Sequence, residues 1–70
     1  MTQAEQIIKY LENHPSISPM EAFNDLGITK LATRISEMIR DGKKIIKFDD
    51  QGTNRFGQRI RFKRYVLIRE

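Results

Sequence analysis

Fifteen residues in the first half of the chain, PSISPMEAFNDLGIT (15–29), leave the backbone few choices. Pro15 disfavours helical geometry at His14 and cannot extend a hydrogen-bond ladder, so any helix before it ends there. Ser18 followed by Pro19 and Glu21 predicts a helix N-terminus. The serine caps it, the proline takes the first helical position, and the glutamate closes a capping box. Gly27 supplies the left-handed stop. A helix over Pro19–Leu26 follows, entered from an extended Ser16-Ile17-Ser18 that buries Ile17 as a very short strand. It leaves through a tight turn, Leu26-Gly27-Ile28-Thr29, straight into further helical sequence.

That helical sequence is predicted over Lys30–Asp41. Thr29 is its expected cap, Gly42 its stop, and Leu31, Ile35, Met38 and Ile39, with Ala32 beside them, its buried stripe. Upstream, Thr2 and Glu5 repeat the capping-box spacing, and Ala4, Ile7, Ile8 and Leu11 predict an amphipathic helix from Gln3 to His14. His14 reads as a helix-end residue. Met20, Phe23 and Leu26 stand three apart on the second helix and are expected in the core.

The remainder reads as a hairpin. KKIIKFDD (43–50) and QRIRFKRYVLIRE (58–70) are rich in β-branched and aromatic residues. Between them, Gln51–Phe56 is the expected tip, with Asp49-Asp50 as turn chemistry and Gly52 and Gly57 free to take positive φ. Alternation puts Ile60 and Phe62 on one face but Tyr65 and Leu67 on the other, so a β-bulge at Lys63-Arg64 is expected to return all four to the core. Burial of Val66 and Ile68 is the alternative register. Phe56 is expected to fold back onto the hairpin, with an exposed anchor as its other role.

Composition narrows the function. Seventy residues form one domain, 1–70, which hides only about 60% of the surface its unfolded chain exposes. The absence of cysteine excludes disulfides and thiolate zinc sites, and one histidine makes no metal cluster. No nucleophile stands with a base, and no glycine loop is built for phosphate, so an enzyme and a cofactor are not expected. No apolar run reaches about 18 residues, and a cytoplasmic protein with no membrane association is expected. Residues 1–29 hold one base against four acids, a net of −3; residues 30–70 hold twelve against five, a net of +7. Such segregation predicts one face turned to a polyanion.

Helix, short strand, helix, glycine turn, helix and basic hairpin together resemble the winged helix-turn-helix fold, an α+β architecture of three helices with a C-terminal hairpin wing. More finely, AFNDLGITKLATRISEM (22–38) followed by NRFG (54–57) is similar to small phage and prophage proteins of this type. Their pattern runs A-x-x-D-L-G-I-x-x-L-A-x-R-I-x-x-L and then N-R-x-G, with Met38 here in place of the last leucine. The resemblance implies sequence-specific double-stranded DNA binding by a phage-type transcriptional regulator or an excisionase-like architectural factor, with the third helix in the major groove.

On that expectation Thr29, Lys30, Thr33, Arg34 and Glu37 meet DNA from the third helix. Arg34 grips guanine, Thr33 packs on thymine, and Lys30 meets phosphate. Glu37 either accepts from cytosine or pairs with Arg34 or Arg40. Arg59, Arg61 and Lys63 form the cationic face of the wing, alternating with core-facing Ile60 and Phe62, and Asn54 and Arg55 work at its tip. Both a monomer and a homodimer are compatible with the sequence. A different class of function is a phage counter-defence protein, similar in role to an anti-CRISPR, that binds and inhibits a host nuclease complex. A third is single-strand or RNA binding, with Phe56, Phe62 and Tyr65 stacking on bases.

Overall fold

The computed structural model describes residues 1–68. Three helices, α1 (Gln3–Asn13), α2 (Pro19–Leu26) and α3 (Leu31–Arg40), precede two strands, β1 (Ile45–Thr53) and β2 (Arg59–Leu67). Arg69 and Glu70, the last two positions of the expected second strand, lie outside the described residues.

Both capping boxes form. Thr2 Oγ1 accepts from the Glu5 amide at 3.1 Å while Glu5 Oε1 accepts from the Thr2 amide at 3.0 Å. Ser18 and Glu21 exchange the same two bonds at 3.3 and 2.9 Å. Gly27 ends α2 at φ 69°, a conformation that costs a side-chain-bearing residue but not glycine. His14 is the C-cap of α1, extended as the proline after it requires. Its ring stacks on Tyr10 at 4.0 Å, and Tyr10 in turn donates to Asp25 Oδ2 at 2.9 Å, tying α1 to the end of α2.

The core gathers Ile7 and Leu11 of α1, Ile17, Ala22 of α2, Ile28, Leu31, Ile35 and Met38 around Ile45 and Tyr65 of the hairpin. Ile17 pairs with Tyr65 through reciprocal backbone bonds of 3.0 and 2.9 Å, so the short strand after α1 docks on the free side of β2. Burying Ile17 and Tyr65 together fixes the hairpin to the helices.

Several expectations are corrected by this packing. Lys30, not Thr29, is the N-cap of α3 and makes no side-chain cap bond, because the turn buries both Ile28 and Leu31 and thereby delays the helix by one residue. Ala32 and Ile39 lie outside the buried stripe of α3. On α2 it is Ala22 that faces the core; Met20 and Phe23 are 65% and 55% exposed, and Leu26 is half-buried. A small residue at the contact lets α2 approach closely and turns its larger apolar neighbours to the flank.

In the hairpin, the register runs without a gap from Ile45↔Leu67 to Thr53↔Arg59, so no bulge interrupts Lys63-Arg64. Tyr65 is buried and Leu67 packs against the core, whereas Ile60 is exposed and Phe62 is half-buried outside it. In the alternative register Val66 and Ile68 would be buried; Val66 is half-buried and Ile68 exposed. The outer strands extend beyond the core, and Ile60 and Phe62 there border only an open hollow beside the start of α2.

The tip also lies further out than expected. Asp49, Asp50 and Gly52 all belong to β1, and Gly52 sits beneath the Phe62 ring, where an added Cβ would come within 3.3 Å of Cε1. The turn is Asn54–Gln58: Asn54 Oδ1 accepts from the amides of Phe56 and Gln58 at 2.9 and 3.0 Å, with Gly57 at φ 76°. This closed turn leaves Phe56 84% exposed, correcting its expected return to the hairpin.

Candidate nucleic-acid interface

Alternation along β2 sets Arg59, Arg61, Lys63, Tyr65 and Leu67 on one face and Ile60, Phe62, Arg64 and Val66 on the other. The first face is continuous with the core at Tyr65, and its outer half runs beyond that core, while the second face meets the start of α2 through Arg64. Arg59 and Arg61 are exposed there and make no direct ion pair among the described residues, although Arg61 lies near enough to help hold the Asp49 carboxyl down. Lys63 differs. Directly opposite Asp49, its Nζ lies 2.6 Å from Oδ1, and the ammonium holds the Asp49 carboxyl below the usual carboxylate range. Within the wing, the cations outside direct ion pairs are therefore Lys47, Arg59 and Arg61, with Arg55 beside the tip.

Arg64, which the sequence reading left out of the site, is engaged inside the molecule. Its Nε donates to Asp50 Oδ2 at 2.7 Å, and its Nη1 donates to Glu21 Oε1 at 2.8 Å and Ser16 Oγ at 3.1 Å. The guanidinium also lies 5.5 Å from the centre of the Phe62 ring. Because Glu21 already closes the cap of α2, this one arginine clamps the start of α2 to β1 and β2. The Arg64 bond holds the Asp50 carboxyl below its ordinary value, helped by the Gln51 amide, and the same bond raises the guanidinium.

On α3, the 3.6-residue period carries Thr33, Ser36 and Arg40 opposite the buried Leu31, Ile35 and Met38. All three are exposed, as are Thr29 and Lys30 at the helix entrance. Ser36 was missed by the sequence reading, although its position three after Thr33 and four before Arg40 marks that face. Arg34 lies nearer the edge of the buried stripe: its Nε donates to Gln3 Oε1 of α1 at 2.9 Å and its Nη1 meets Glu37 Oε1 at 2.6 Å. Of the two pairings considered for Glu37 within the helix, the one with Arg34 forms. Two of the five guanidinium donors are used in these bonds, leaving three for a ligand.

The structure thus brings Thr29, Lys30 and Thr33 onto one exposed surface, places Arg34 and Glu37 as a tethered pair at its margin, and sets Arg59 and Arg61 on the wing. Asn54 shapes the turn and Lys63 is paired. The three aromatics considered for base stacking are not assembled into a platform, since Tyr65 is 4% exposed and Phe56 stands alone at the tip. Among the described residues, no group of acids and histidine could hold a metal ion, and no helix is long and apolar enough to cross a membrane.

The sequence of the winged helix-turn-helix domain family matches this chain over residues 2–70, from the N-cap of α1 through the wing. Neither a curated protein nor a solved structure matches it.

Proposed function

The chain belongs to the winged helix-turn-helix domain family, and from that membership, which suggests DNA as the partner, we propose that it is a sequence-specific double-stranded DNA-binding protein. The observation that carries this reading is the sorting of its bases: Lys63, Arg64 and Arg34 are held in ion pairs by acids of the chain, whereas Arg59, Arg61, Lys30 and Arg40, like Lys9, Lys47 and Arg55 elsewhere, make no ion pair among the described residues. Those four stand on the outward face of α3, at its entrance and along the wing.

In this arrangement α3 lies in the major groove with Thr33, Ser36 and Arg40 toward base edges and Lys30 on phosphate. Arg34 acts from the margin. Its bonds to Gln3 and Glu37 pre-set the guanidinium plane, so little rotamer freedom is lost when the remaining donors grip guanine. Arg59 and Arg61 hold the backbone, and Arg55 and Phe56 at the tip reach the neighbouring minor groove. The work is recognition rather than catalysis, inside the cell, as a phage-type transcriptional regulator or an excisionase-like architectural factor.

Selection from a random duplex pool, followed by titration of the winning site, tests this reading. The expected result is an enriched sequence bound with a log–log salt slope of about −3, as a few released counterions require. Arg34→Ala then flattens the preference at one base by about 1 to 3 kcal/mol. Arg61→Ala weakens all duplexes alike and shortens the slope by about 1. A salt-independent affinity, or single strands competing as well as duplex, overturns it.

A further inference from the structure

The hairpin ends on one side in an unused edge. Among the described residues, β2 is flanked by β1 and by Ile17, while β1 has β2 on one side and no strand on the other. Nine residues long, it contains no proline and no bulge, two common devices that prevent further pairing. The parity of the ladder is set by two observations. Asn54 bonds Gln58 and Ile17 bonds Tyr65, so even-numbered residues of β1 turn their backbone groups to β2 and odd-numbered ones turn theirs outward. Lys47, Asp49 and Gln51 therefore present the free edge. Only the Gln51 amide among them is engaged, by Asp50 Oδ1 at 2.8 Å.

We propose that a second copy of this chain adds to the β1 edge, antiparallel, about a two-fold axis through Phe48. The occupant is chosen by charge. A two-fold pairing centred on Phe48 sets Lys47 of each copy opposite Asp49 of the other, as hydrogen-bonded pairs of outward-facing residues. Moving the centre by one residue either way would instead oppose two lysines or two aspartates, which is repulsive. At the axis, Phe48 meets its own copy as a non-hydrogen-bonded pair, where side chains approach most closely. Phe48 and its same-face neighbour Ile46 are both exposed in the single chain, and this contact covers them. On the opposite face a row runs Lys63, Asp49, then Lys47 and Tyr65 of the second copy, so Asp49 lies between two ammonium groups. The product is a four-stranded sheet with the two α3 helices related by the two-fold axis.

The test uses the full chain without DNA, so it stands apart from the DNA-binding proposal. Sedimentation equilibrium should show a mass rising with concentration from 8.3 kDa toward twice that value. Lys47→Glu should raise the dissociation constant roughly tenfold or more, and the charge-swapped double variant Lys47→Glu, Asp49→Lys should recover most of the loss. Since the protein has no cysteine, Phe48→Cys gives a direct readout of register: mild oxidation should link two copies, because Cα atoms of such a pair lie about 4.5 Å apart. Thr53→Cys and Met20→Cys serve as distant controls, and circular dichroism confirms that each variant is folded. A wild-type chain that stays monomeric at millimolar concentration overturns the proposal. So does a dimer indifferent to Lys47→Glu, or one trapped as readily through Thr53 or Met20 as through Phe48.

Discussion

The inner half of the hairpin, where Ile45 faces Leu67 and Lys47 faces Tyr65, and its outer half, from Asp49 and Lys63 to Asn54, share one register and one alternation of faces. They differ in what covers them. In the inner half the face bearing Tyr65 closes on Ile17 and the helices; in the outer half that same face carries Arg61 and Arg59 into solvent. The reverse face is apolar at Phe62 and Ile60 and borders an open hollow shared with the start of α2, Ser18 to Glu21, and with Arg64. Periodicity therefore sets sides, and distance from the helices decides which side becomes core. The inner half supports the fold, while the outer half is available for binding.

Truncation should separate the halves most sharply. Tyr65→Ala, which empties a buried site at the junction of strand and core, is expected to cost about 3 to 5 kcal/mol in urea denaturation. For a domain of this size that nearly abolishes folding. Ile60→Ala, on the outer half, should cost less than about 1 kcal/mol. Equal losses would dissolve the distinction. Next in size, Arg64→Ala should cost about 1 to 2 kcal/mol, because it leaves Glu21 and Asp50 without their common partner, and should leave the DNA salt slope unchanged. Arg59→Ala should do the opposite, sparing stability and lowering duplex affinity.

Protonation gives the smallest effects and tests the same boundary. Asp49 and Asp50 hold carboxyl pKa values below their ordinary range of about 4. A depressed folded value means that their contribution is present above about pH 4 and is lost as pH falls through the lower, folded values. Acid titration followed by NMR should loosen the outer hairpin before the helices, and Asp50→Asn should remove part of that response. At the other extreme, burial and the bond to Asp25 push the Tyr10 hydroxyl up to about 12. A raised value in an acid that is neutral when protonated places its contribution below about pH 10, to be lost as pH rises toward 12. Tyr10→Phe should flatten the alkaline limb of the melting profile.

Much of this fold was legible in the chain because its signals are local. The capping boxes of Thr2 with Glu5 and Ser18 with Glu21 span three residues, and Gly27 acts through its own φ. The cationic alternation of the wing was equally readable. The site was legible only in outline. Arg34 and Arg61 look alike in sequence, yet one is tethered to α1 and the other makes no ion pair among the described residues, and the bond Arg34 donates to Gln3 spans 31 residues. Phe56 and Phe62, both expected in the core, required knowledge of where the helices end.

What the sequence determined by itself was the order of the helices, the bounds of α2, the glycine turn between α2 and α3, and the existence of a basic hairpin. Each rests on hydrogen bonds or sterics within a few residues. What only the tertiary structure decided was which apolar residues of α2 and the hairpin are covered and which bases keep their charge free. Arg64 illustrates why: its carboxylate partners lie 14 and 43 residues away, and a charge is neutralised by what folding brings beside it.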